Sequence, residues 1–210
     1  MRIIMDETDL LMAELKSGDP NRQMEAAEKI LDKPFLKETA LAGKSIHTGV
    51  ICKITDYAIL KEIALNDKDE WVREKAVFQI TDQAVLKEVA LSDDSCAVRK
   101  AAAYGITDEE LLKEIASTDE SWEVRDAAIR NITDQAFLQK VVLTDEYWFV
   151  RLITVERLTN VAFLKDLASN NEDEDIRKAA AKRLKQLRKG IQLSLFETDE
   201  EELKELRIEI

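Results

Sequence analysis

The chain has 210 residues, 45% of them hydrophobic and 35% charged, with five glycines and two prolines; this suits packed helices joined by short turns and excludes disorder for most of its length. A formal net charge of −12 disfavours a nucleic-acid backbone as partner, because such affinity begins with a basic footprint. No stretch approaches the roughly 20 apolar residues of a membrane span, and two cysteines, Cys52 and Cys96, cannot build a disulfide framework, so a cytoplasmic, reducing setting is expected. Asp6 and Glu7 interrupt the place where a signal peptide would keep its apolar core.

Self-similarity appears at once. Blocks begin at Ile54, Ile80, Ile106, Ile132 and Leu158, each 26 residues after the last. Upstream, Ile4 to Lys29 is a degenerate block of full length, and Ile30 to Lys53 is shortened by two residues. The expectation is an all-α, right-handed α-α superhelix of about seven helical hairpins. Its blocks are 4–29, 30–53, 54–79, 80–105, 106–131, 132–157 and 158–183, forming one solenoid over 1–190, with 191–210 as a tail or cap.

In chain order, the second block is the irregular one. It has Ile46-His47 where later blocks have Val-Arg, and it carries Gly43 and Gly49, so it is the expected weak joint or hinge. His47, the single histidine, reads as a helix residue replacing an arginine rather than as a general base. From the third block on, a Thr-Asp pair such as Thr81-Asp82 offers oxygens to the exposed amides of a helix start. Val85, Leu86, Val89 and Ala90 follow at helical spacing, and Ser92-Asp93-Asp94 ends helix A and starts helix B, expected over about 95–105. Helices of about ten residues are unstable alone and must gain stability by stacking.

An acidic residue precedes an arginine by six in Asp67/Arg73, Asp93/Arg99, Asp119/Arg125 and Asp145/Arg151, with Asn171/Arg177 last. On these residues, within a D-x-x-x-x-V-R-x-x-A pattern, the chain resembles the HEAT-like repeat superfamily, and its short period is similar to the leucine-rich-repeat-variant solenoids. The resemblance implies a polar ladder between repeats and a structural role for these residues. It covers 54–183 well and 4–53 loosely.

No catalytic residues, cofactor or metal ligands are expected: one histidine cannot make the multi-His centre of the HEAT-type hydroxylases, and no Cys/His spacing reads as zinc. The glycines form no phosphate-cradling loop. Non-enzymatic binding is therefore the expected function. Positions that vary between blocks while staying large and apolar are its best guide, and on helix B they are Trp71, Phe78, Tyr104, Trp122, Trp148, Phe149 and Leu152. Three uses compete: a groove for a protein partner, packing between repeats, and a homodimer contact through the sixth block, where Tyr147 to Val150 and Leu152-Ile153 concentrate apolar surface.

The last helix B is expected to continue through Leu184 and Leu187, with Lys182, Arg183, Lys185, Arg188 and Lys189, and to stop at Gly190. The segment Gln192-Leu193-Ser194-Leu195-Phe196 resembles the short motif by which bacterial replication and repair proteins dock on the sliding clamp. That resemblance implies a clamp-tethered accessory factor, with Gln192, Leu193, Leu195 and Phe196 as contacts. The competing use is a cap over the last repeat. An acidic segment after Thr198 is expected to form a short helix. A third function, resembling the HEAT-like DNA glycosylases, is disfavoured by the acidic charge and by the lack of a basic run on helix B.

Overall fold

A computed structural model describes residues 54–197 and, before them, 10, 11, 13, 14, 19, 21, 22, 25, 26, 29 and 51; from 190 on it describes backbone only. Among the described residues all regular structure is helical, and ten helices lie within 54–197. These are α1 (Tyr57–Asn66), α2 (Glu70–Val77), α3 (Gln83–Ser92), α4 (Cys96–Gly105), α5 (Glu109–Thr118), α6 (Trp122–Ile129), α7 (Gln135–Thr144), α8 (Trp148–Val155), α9 (Val161–Asn170) and α10 (Glu174–Glu197). They pack as hairpins in chain order, which makes the fold an all-α solenoid. The chain divides into two compact units, Met1–Asn131 and Ile132–Ile210, at the junction of two repeats.

One residue type starts four of the five first helices within 54–197. Asp56, Asp82, Asp108 and Asp134 adopt extended backbone and accept hydrogen bonds from the second and third helical amides, such as Ala84 N–H at 2.8 Å and Val85 N–H at 3.3 Å to Asp82. Asn160 does the same for Phe163 N–H at 3.1 Å. A second Asp closes the same four helices. Asp93 ends α3 by donating its N–H to Val89 O, and its Oδ1 accepts Ser95 N–H at 2.8 Å, turning the chain directly into α4. Asp67, Asp119 and Asp145 repeat this turn, as does Asn171.

The apolar register then fills the core. Leu60, Leu86, Leu112, Leu138 and Leu164 on the first helices, and Val72, Val98, Val124, Val150 and Ile176 on the second, are all buried. Ala76, Ala102, Ala128 and Ala180 occupy one position of helix B, where a small side chain lets neighbouring helices approach. Thr154 takes that place in α8 and satisfies its buried hydroxyl on Val150 O at 2.7 Å. In the first unit α2 packs on α4 and α4 on α6 more closely than α1, α3 and α5 pack on one another; in the second, α8 packs on α10.

Arginines join the turns across repeats. Arg73 Nε and Nη2 donate to both carboxylate oxygens of Asp93, 20 residues on, at 2.8 and 2.9 Å, while Nη1 donates to Asp67 O at 2.8 Å. Arg99 binds Asp119 in the same way, at 2.9 and 3.0 Å, and Asp93 O at 3.0 Å. The Asp six residues upstream therefore supplies a carbonyl, and the carboxylate comes from the next repeat. Asn171 in the last block cannot supply a charge, and Arg151 pairs instead with Asp173 at 3.6 Å. Asp67 is the exception at the other end: only 5% exposed, its Oδ2 has no hydrogen-bond partner among the described residues. By sequence register the arginine facing it is replaced by His47, which lies outside the described residues together with Gly43 and Gly49.

A second set of stitches runs from side chains to backbone. Gln83 donates to Gly105 O at 3.0 Å and accepts Thr107 N–H at 2.9 Å; Gln135 does the same with Arg157 O and Thr159 N–H. At the last position of a block, Gln79 and Asn131 donate to Ile51 O and Tyr104 O of the preceding block, while Arg157 and Arg183 donate to Ile132 O and Leu158 O, the first residues of their own blocks. Gly105 holds that position in the fourth block, where a Cβ would come within 2.9 Å of Leu86 Cδ1.

The last helix departs from the sequence expectation. It passes through Gly190 and ends at Glu197. A helix-interior glycine costs only about 1 kcal/mol relative to alanine, and good helix formers such as Gln192, Leu193 and Leu195 follow it. The expected short helix after Thr198 lies outside the described residues.

Two stability measurements follow. Leu138→Ala should cost about 2–5 kcal/mol, read as a lowered urea midpoint, because Leu138 is fully buried. Asp93→Asn keeps the turn-forming oxygen and removes the charge facing Arg73, so about 1.5–3 kcal/mol should be lost, whereas Asp67→Asn should cost less, its carboxylate having no guanidinium partner among the described residues.

Candidate partner-binding surface

The caps and the ladder commit the turns and one arginine position of each second helix, leaving the other outward positions of the second helices to variable side chains. On α2, Trp71 is 60% exposed and Phe78, at the helix end, 53%. Tyr104 near the end of α4 is 42% exposed, and Trp122, opening α6, is half-buried. These four belong to the first unit. In the second unit Trp148 is 49% exposed at the start of α8, while Phe149 and Leu152 are half-buried.

Register alone did not fix these exposures. Phe149 stands at the block position of Trp71, yet its ring is shielded, meeting Trp148 edge-on at 5.5 Å between centroids. The Tyr147 ring centroid lies 6.3 Å from that of Trp148, so the three consecutive aromatics form one cluster. First helices add exposed apolar residues that the sequence reading passed over: Tyr57, Leu91, Leu143 and Val161. Leu91 and Leu143 share one block position, so the repeat itself was the signal that could have found them. Tyr57 is partly committed, its hydroxyl donating to Asp82 at 2.7 Å and holding that carboxyl below its ordinary pKa.

Around Trp71 the surface is charged. A shallow cleft of about 570 Å³ runs beside the ring, lined also by Lys68, Asp69, Glu70, Arg73 and Asp94. Asp69 caps α2 through Trp71 N–H at 2.9 Å. The Arg73 guanidinium is pushed above its ordinary pKa, first by its hydrogen bonds to Asp93 and then, against burial, by the charges of Asp93, Glu70 and Asp94. Farther along the helix Lys75 Nζ sits 5.5 Å from the Phe78 ring centroid.

Elsewhere the chemistry is sparse. Cys96 is a free, half-buried thiol 3.8 Å from Glu123 Oε2, and Cys52 lies outside the described residues. Among the described residues no group of three or more His, Cys, Asp or Glu is placed to hold a metal ion, and no helix is long and apolar enough to cross a membrane. Gln192, Leu193, Leu195 and Phe196 fall on the last turns of α10, where only the backbone is described.

The X-ray structure of Escherichia coli YibA is similar in fold, with a TM-score of 0.51 at 20% sequence identity over 91% of this chain and 87% of that one. No protein-family model matches the chain, and no curated protein matches it either.

The differing exposures can be measured directly. In variants that keep one tryptophan each, acrylamide should quench Trp71 and Trp148 more efficiently than Trp122.

Proposed function

We propose that this chain is a non-catalytic protein-interaction scaffold that binds a partner along its second-helix surface. The observation that carries this reading is the exposure of Trp71, at 60%, on a chain whose repeated positions are otherwise spent on caps, ladder and core. Leaving a large aromatic in water forgoes about 1.5–3 kcal/mol that its burial would return, and aromatics of this kind anchor interfaces when a partner covers them. Phe78 and Tyr104 add to that surface in the first unit, and the Trp148 cluster offers a separate one in the second. Membership of the HEAT-like repeats, a cytoplasmic setting and independence of any cofactor belong to the same reading. The net charge of −12 supports a protein partner over nucleic acid.

The test is affinity capture with the intact chain, with Trp71→Ala/Phe78→Ala, with Trp148→Ala, and with the chain truncated after Gly190. The aromatic variants should keep their unfolding midpoints and lose captured protein. Capture that survives both aromatic variants and vanishes on truncation would instead favour sliding-clamp docking through Gln192–Phe196. A concentration-dependent dimer abolished by Trp148→Ala would identify the sixth block as a homodimer contact.

A further inference from the structure

We propose that the cleft beside Trp71 docks a basic peptide segment, taking an arginine or lysine side chain against the indole face with Glu70 and Asp94 as counter-charges. This rests on the scaffold reading and adds the chemistry of the partner.

Charge complementarity decides the occupant. Of the two cations lining the cleft, Arg73 is already neutralised by its two bonds to Asp93. Among the described lining residues this leaves Lys68 as the one other cation beside the carboxylates of Asp69, Glu70 and Asp94. That excess reaches into the cleft, since Glu70 and Asp94 both help raise the Arg73 pKa. A purely apolar occupant would strip water from these carboxylates and return nothing for it. A cationic side chain gains both from the carboxylates and from the electron-rich face of the ring. The same helix shows the second kind of contact within the chain, at Lys75 and Phe78. Among the described residues no cation lies over the Trp71 ring, which is 60% exposed. A nucleic acid would bring further negative charge to the cleft, and a second copy of the chain brings a net −12.

The experiment uses the full chain with Trp122→Phe and Trp148→Phe, so that Trp71 is the sole tryptophan emitter. A short arginine-glycine peptide should quench and shift its emission, with binding that weakens as salt rises. A matching glutamate-glycine peptide should leave the emission unchanged. By calorimetry on the otherwise native chain, Trp71→Leu, which keeps apolar bulk, and Glu70→Gln/Asp94→Asn should each weaken the arginine peptide by about tenfold. Equal binding of a neutral apolar peptide, no response to the arginine peptide, or Trp71-dependent self-association in its place would overturn the inference. The scaffold reading falls separately, if protein capture is also indifferent to Trp71, Phe78 and Trp148.

Discussion

The clasp between an arginine on one second helix and the aspartate at the next turn is the contact on which the stacking depends. Each hairpin is too short to hold itself, and apolar faces alone would let neighbouring hairpins slide or rotate. A planar guanidinium bound at two points fixes both distance and angle, and its third bond, to the carbonyl of its own turn, ties helix B to the loop that precedes it. The aspartate is equally over-determined. Its Oδ1 also shapes the turn into helix B and its N–H closes helix A, so one residue ends a helix, leads into the next and receives the neighbouring repeat.

This economy separates structural from variable positions. The block positions of Asp82, Asp93, Leu86, Val98 and Arg99 are committed by caps, core and clasp, so chemistry that differs between repeats can reside only where those demands are absent. The outward side of the second helices is such a place. There the side chain at one register position runs from Trp71 through Ala97 and Glu123 to Phe149 and Asp175 while the backbone geometry is preserved. A cleft with an exposed indole and unbalanced carboxylates arises at one repeat and is not propagated to the next.

Where the clasp is incomplete, its logic is still visible. Arg151 meets an asparagine turn and shifts to Asp173, with a longer and more exposed contact. Asp67 keeps the turn-forming half of its role through Asp69 N–H at 2.9 Å but has no described partner for Oδ2. The first case shows that a nearby carboxylate can substitute. In the second, the buried Oδ2 has no partner among the described residues, at the block boundary that the sequence also marks by Ile46-His47.

The sequence by itself determined the period, the helix starts at Asp56, Asp82, Asp108 and Asp134, and the buried register, because capping and amphipathic spacing are local and the 26-residue repeat restates them. It marked Asp and Arg as ladder residues but not which carboxylate each arginine holds. That choice is made between repeats, 20 residues apart, by how the hairpins stack. Gly190 looked like a stop, but its intrinsic cost is small beside the helix formers that follow, and α10 continues to Glu197. Nor could spacing distinguish Trp71 from Phe149, which share a register position. Only the tertiary structure decided that one ring faces water and the other is shielded, because exposure depends on what the neighbouring side chains cover.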